Sequence, residues 1–216
     1  MPDPFSSLDE HVRPHLDSSA LLVIDMQNDF VDGTLPVAGT SDVVPLLSIL
    51  LDAYRRAGHP IVHVVRLYTG TDVDPVRRTA IARDDAPIVR PGTTGSRIVD
   101  GLLPDSAPGL DAELLLAGGR QPLGPNESVL WKPRWSAFHR TGLAGYLTDL
   151  RIDTVVVAGC NFPNCPRATM FDASNHDFRV VSVTDATSGT TSDRLADARS
   201  IGVVTMTVSD ILDTLK

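Results

Sequence analysis

Three residues of chemically useful type stand at the same kind of place in this 216-residue chain. Asp25 ends the apolar run Ala20-Leu21-Leu22-Val23-Ile24, and Lys132 closes Ser128-Val129-Leu130-Trp131. Cys165 lies just past Thr154-Val155-Val156-Val157-Ala158-Gly159, where a helix is predicted to begin. A short apolar run that stops at a polar residue is how a buried parallel strand ends, and open α/β sheets place their ligands outside those ends. Three such ends would bring an acid, a cation and a thiol to one point. That set is a nucleophile with its activators, the equipment of thiol-dependent hydrolysis.

Each residue also has a plainer reading. The segment Gly159-Cys160-Asn161-Phe162-Pro163-Asn164-Cys165-Pro166-Arg167 predicts a turn, with Cys165 at the N-cap and Pro166 at the first helical position, where its missing N–H costs nothing. A thiol there faces the positive end of the helix dipole and unpaired backbone N–H groups, which favour the thiolate and lower its pKa. The same N–H groups suit the oxyanion of a tetrahedral intermediate. A small inert thiol beside a helix cap explains the residue as well, and Cys160 fits that description better. Asp25 could accept the thiol proton and return it to a leaving amine, or simply close its strand as an Asx turn. Lys132 is either a snorkelling surface lysine or the charge that holds acid and thiol ionised.

The elements that must position these residues alternate along the chain. Strands are predicted at 20–25, 60–66, 127–131, 154–158, 179–184 and 202–206, and helices near 41–57, 96–103, 138–150, 165–176, 190–199 and 208–215, with Ser41 capping the first. Such βα alternation predicts a three-layer α/β/α fold with a six-stranded, mostly parallel sheet and helices on both faces. Residues 1–19 read as an N-terminal arm and 20–216 as one domain. The segment 67–126 is rich in Pro and Gly, and in a compact domain such a stretch serves function or oligomer contact.

Composition narrows the function classes. Nineteen basic and 27 acidic residues give a net charge of −8, without the basic stripe of a nucleic-acid binder. No stretch approaches the ~18 apolar residues of a membrane span. Met1-Pro2-Asp3-Pro4-Phe5 has no basic n-region or apolar h-region, so a cytoplasmic protein is expected. Two cysteines cannot make a disulfide framework, and free thiols are expected there.

The segments Leu22-Val23-Ile24-Asp25-Met26-Gln27-Asn28-Asp29-Phe30, Lys132-Pro133-Arg134-Trp135-Ser136-Ala137-Phe138 and Val157 through Cys165, followed by Asp172-Ala173 and Asp185-Ala186, resemble the isochorismatase-like cysteine hydrolases. The resemblance runs from about residue 18 to 210 and implies a catalytic triad of Asp25, Lys132 and Cys165. It further implies a non-proline cis peptide at Cys160–Asn161, with the N–H groups of Asn161 and Cys165 as the oxyanion hole. Such a bond costs about 3–4 kcal/mol, and Phe162–Pro163 is a second candidate for it. No cofactor is implied. A small-molecule substrate and a homodimer or homotetramer are expected.

Two departures bear on the substrate. Nicotinamidases carry an Asp-x-His metal motif just after the second strand, where this chain reads Val65-Arg66-Leu67-Tyr68-Thr69-Gly70-Thr71-Asp72, with no histidine between His63 and His139. A transition metal would lack imidazole ligands, so neither metal nor nicotinamide is expected. Many relatives have Thr-Asp where this chain has Phe162-Pro163, a variant similar to streptothricin-hydrolase-like members, which open a lactam. Gln27, Phe30, Trp135, Phe138 and Phe162 are candidate pocket residues, with Gln27 also placed to orient Asp25 or to bond backbone near the site, and Arg134 or Arg167 a candidate clamp for a substrate carbonyl or carboxylate. For each aromatic a core role, and for each arginine a surface ion pair, is the competing reading. The expected reaction is therefore cleavage of an amide, lactam or ureido bond, with vinyl-ether hydrolysis or a catalytically silent binding protein as alternatives.

Overall fold

A computed structural model of the chain describes residues 5–70, 72–82 and 87–215. Met1 to Pro4, read above for a leader, lie outside them, as does Thr71 of the segment compared with a metal motif. Among the described residues, seven strands form one sheet: β1 (Ser19–Ile24), β2 (Ile61–Val65), β3 (Arg120–Pro122), β4 (Glu127–Trp131), β5 (Thr154–Gly159), β6 (Arg179–Thr187) and β7 (Val204–Met206). The described helices are α1 (Asn28–Val31), α2 (Thr40–Ala57), α3 (Pro75–Ala82), α4 (Ala112–Leu116), α5 (Leu143–Asp149), α6 (Cys165–Asn175), α7 (Ser192–Arg199) and α8 (Val208–Thr214). The strand order is β3-β4-β2-β1-β5-β6-β7, with every pairing parallel except β3 with β4.

The apolar runs divide by the two-residue period of a strand. Along β1, Ala20, Leu22 and Ile24 enter one core cluster with Leu143 and Leu147 of α5 and Met170 and Ala173 of α6. Leu21 and Val23 enter the other, with Leu47, Leu50, Leu51 and Tyr54 of α2 and Ile211 of α8. Burial on both faces is why the strands read as unbroken apolar runs, and it gives the predicted three layers. β1 is central, and the chain leaves it toward β2 on one side and β5 on the other, so the crevice for a ligand falls at its C-terminal end.

The differences from expectation are local. A seventh strand, β3, pairs antiparallel at one edge. The helix expected at 138–150 starts only at Leu143, after turns that end at Gly142, and that at 96–103 is a three-residue 3-10 turn, Asp100–Leu102. The first long helix is entered through Gly39 at φ +77° rather than capped by Ser41, whose hydroxyl reaches only Asp42. Among the described residues, no helix is long and apolar enough to cross a membrane.

Candidate active site

Four adjacent strands, in the order β4-β2-β1-β5, each end in this site. Lys132 follows β4, Arg66 follows β2, Asp25 follows β1, and the turn leading to Cys165 follows β5. All four side chains are buried, Lys132 at 0 % exposure and Arg66 at 1 %.

The approach of β5 to β1 sets the frame. Gly159 has φ +112°, and a Cβ there would lie 2.3 Å from the Ile24 carbonyl oxygen, so only glycine permits this contact. Cys160 N–H then donates to Ile24 O at 2.8 Å, fixing the turn beside Asp25. Asp25 itself adopts φ +52°, a left-handed conformation uncommon outside glycine and found where a site demands it.

Lys132 Nζ donates to Asp25 Oδ2 at 2.9 Å, while Asp25 Oδ1 is buried without a hydrogen-bond partner. Arg66 lies between the acid and the thiol. Its Nη2 is 3.5 Å from Cys165 Sγ, its Nε 3.9 Å from Asp25 Oδ2, and its Nη1 2.6 Å from Asp74 Oδ2. The rings of Trp135 and Tyr68 lie 5.3 and 5.9 Å from its guanidinium carbon. Burial works against the Arg66 charge, but the negative charge of its neighbours, Asp25 and Asp74 in the resting site, outweighs it and holds the guanidinium protonated. Arg66 was not among the residues expected at the site. Its signal was present, since it ends Ile61-Val62-His63-Val64-Val65 as Asp25 ends its own run.

The expectation of an acidified thiol is corrected by burial. The Cys165 pKa is pushed up by desolvation first and by the Asp25 charge second, against the opposing pull of Lys132 and Arg66. Cys165 is also the first residue of α6, with Asn164 at the cap and Pro166 one place further in than predicted. Cys160 is likewise buried and pushed up to about 12, mainly by burial.

No described peptide bond is cis, so Cys160–Asn161 and Phe162–Pro163 are both trans, contrary to expectation. The turn achieves its path with ordinary trans bonds and so avoids the cost of a cis peptide. Phe162 N–H donates to Ser188 O, Asn164 N–H to Asn161 O and Arg167 N–H to Phe162 O. These bonds use neither the Asn161 nor the Cys165 N–H.

The other predicted pocket residues are dispersed. Gln27 is a backbone clamp: its amide nitrogen donates to Arg66 O and Ser96 O at 2.8 and 2.7 Å, and its oxygen accepts from Arg66 N–H at 2.7 Å. Both its donors are spent, leaving none to offer a substrate. Phe30 is buried in the core on the α2 face. Phe138 packs against His176 and Phe178, and Phe162 joins the same cluster on the α6 face. Trp135 stays beside the site, over Arg66. Arg134 pairs with Asp72 at 2.6 Å, the ion pair that was its competing reading. Arg167 is exposed on a groove of about 80 Å³ also lined by Phe162, Pro163 and Phe171, to which none of Asp25, Arg66, Lys132 and Cys165 contributes. His63 is buried against Glu127 at 2.7 Å. Among the described residues, no group of three or more His, Cys, Asp or Glu side chains is placed to hold a metal ion.

A family model for the isochorismatase domain matches residues 19–110 and 116–210. A protein of Arabidopsis thaliana described as a probable inactive nicotinamidase is 33% identical over 202 residues, covering 89% of this chain and 94% of that one. The crystal structure of an isochorismatase family protein from Desulfovibrio vulgaris is 33% identical, with a TM-score of 0.77 and coverage of 92% of this chain and 98% of that one. N-carbamoylsarcosine amidase from Thermoplasma acidophilum is 26% identical, with a TM-score of 0.70 and coverage of 88% and 96%. With a core of seven strands, a buried cluster at the ends of four of them, and a family match over most of its length, the chain belongs to the isochorismatase family of hydrolases.

Proposed function

We propose that this protein is a metal-independent cysteine amidohydrolase that cleaves an amide, lactam or ureido C–N bond of a small molecule through a thioester. The observation that carries this reading is the division of labour on Asp25: Oδ2 is held by Lys132, and Oδ1 is buried and unpartnered. A buried carboxylate oxygen with no partner is a costly arrangement unless it has a proton to receive.

The resting thiol is protonated, because burial and Asp25 oppose the thiolate. Asp25 Oδ1 takes the Sγ proton as the thiolate attacks the carbonyl carbon, breaking S–H and forming S–C. The N–H groups of Asn161 and Cys165, free of the turn's own bonds, receive the oxyanion. Asp25 returns the proton to the leaving nitrogen as C–N breaks, then deprotonates the water that hydrolyses the thioester. Lys132 steadies the carboxylate throughout. The guanidinium of Arg66 and the ammonium of Lys132 both face Asp25, which favours metal-free chemistry, since the carboxylate already has its cations. Similarity to an N-carbamoylsarcosine amidase supports an amide-type substrate.

The competing reading is a silent homologue that binds a small molecule, favoured by the deep burial of Cys165 and by similarity to a relative described as a probable inactive nicotinamidase. A screen of amides, lactams, ureides and carbamoyl compounds, with detection of ammonia or new amine, decides between them. Turnover that disappears in a folded Cys165→Ala variant supports the hydrolase. Turnover unchanged in that variant, or binding of screened compounds without turnover, overturns it.

A further inference from the structure

We propose that Arg66 is a fourth catalytic group, a fixed positive charge shared by Cys165 and Asp25 that keeps the site neutral as the proton passes between them. This rests on the reading of Cys165 as nucleophile and adds to it a residue outside the Asp-Lys-Cys set. The geometry is direct: one guanidinium reaches Sγ through Nη2 at 3.5 Å and lies 3.9 Å from Asp25 Oδ2 through Nε. It therefore spans the proton's donor and its acceptor.

Charge counting shows what this achieves. With the thiol protonated, Lys132 and Arg66 face Asp25 and Asp74, two cations against two anions. When the proton moves from Sγ to Asp25 Oδ1, the S–H bond breaks, an O–H bond forms and the thiolate replaces the carboxylate as the second anion. The count stays at two against two. Transfer within the site leaves the count unchanged in any case, so what Arg66 adds is position: its Nη2 is 3.5 Å from Sγ, where the new negative charge forms, and a buried anion without such a partner is strongly disfavoured.

The construction around Arg66 fits that role. Gln27 binds both the N–H and the C=O of its peptide, so the residue cannot retreat along the backbone. Asp74, wholly buried, holds Nη1 at 2.6 Å, and Trp135 and Tyr68 flank the guanidinium. A surface arginine needs no such enclosure, and a lysine head could not span both groups with one planar fork. The titratable groups facing Cys165 are Asp25, Lys132, Arg66 and Cys160, and those facing Arg66 are Asp25, Asp74, Tyr68 and Cys165.

Ionisation of Cys165 can be read without reagent access, from thiolate ultraviolet absorbance against pH, taken as the difference between each protein and the same protein carrying Cys165→Ala. The main variant is Arg66→Met with Asp74→Asn, which removes a cation and its counter-anion together and so leaves no new buried charge. Its folding is checked by circular dichroism. The midpoint of thiolate formation is expected to rise by about 1–3 pH units relative to the natural protein, or to leave the accessible range. If the double variant does not fold, Arg66→Lys is used: it keeps the charge and the Asp74 partner but loses the contact with sulfur, so a smaller rise is expected. An unchanged or lower midpoint in a folded variant overturns the proposal, as does a natural protein whose Cys165 never ionises before unfolding. The two readings fail separately. A raised midpoint with no turnover of any amide would leave Arg66 in place and count against the amidase. Turnover with an unmoved midpoint would do the reverse.

Discussion

Lys132 Nζ and Asp25 Oδ2 are 2.9 Å apart in a part of the molecule that water scarcely reaches. The two groups come from strands separated by β2, and Arg66 emerges from that intervening strand. A buried ion pair of this kind is weak grounds for stability, because desolvation consumes much of the attraction. Its value is local, since it holds one carboxylate oxygen and leaves the other available.

Removing one member should therefore cost far more than removing both. Lys132→Met is expected to destabilise the fold by about 3–5 kcal/mol, because Asp25 is left charged, buried and without its closest cation. Adding Asp25→Asn should recover a substantial part of that loss while leaving activity absent. Urea denaturation of the two single variants and the double variant measures the coupling, and additive losses would contradict it.

Gln27 provides a different kind of test. Because its amide is spent on the Arg66 peptide and Ser96, Gln27→Leu should leave those backbone groups unsatisfied and cost about 2–3 kcal/mol. If turnover survives, kcat should fall more than KM rises, since the loosened group is Arg66 and not a substrate contact. A pure rise in KM would instead make Gln27 a ligand.

Glu127 links the far end of the sheet to pH. Burial alone would raise its pKa, but hydrogen bonds from Arg55 at 2.8 Å and His63 at 2.7 Å outweigh burial and hold it at about 2. A carboxylate depressed in the folded state stabilises the protein fully above its unfolded pKa and loses that contribution as pH falls through the folded value. Glu127→Gln should thus be destabilised at neutral pH, and the gap from the natural protein should close between the ordinary carboxylate range and about pH 2. Thermal melts across that window give the answer, and a gap independent of pH would refute the assignment.

Gly159 is the position least able to change. With φ +112° and Ile24 O at 2.3 Å from any added Cβ, Gly159→Ala should lose well over about 1 kcal/mol and displace the Cys160–Cys165 turn. Loss of the proposed amidase activity should exceed that of a core variant matched for stability, as judged by activity assays below both melting points.

Much of this was legible in the sequence because burial on both faces leaves a plain mark. Leu21 and Leu22 point to opposite layers, yet both must be apolar, so β1 shows as a run that ends at Asp25. β2, β4 and β5 end in the same way, and their order fixes where Arg66, Lys132 and Cys165 meet. β3 left no such mark: Arg120-Gln121-Pro122 is short, polar and contains a proline. The acidity of Cys165 was misjudged because helix position is visible in sequence and desolvation is not. That Gln27 bonds backbone near the site was among its expected roles, but its partners Arg66 and Ser96, 39 and 69 residues away, could not be read from the sequence.

The antiparallel strand β3 also determines how this sheet can grow. Pro122 has no N–H to offer, and Gln121 is tied into the preceding loop through Gly109 O and Asp111 N–H. At the opposite margin β7 is only three residues long. Short, proline-bearing margins resist strand addition from a neighbouring molecule. Copies of this chain that associate are therefore expected to meet through helices or loops, and not by extending the sheet into a continuous ribbon.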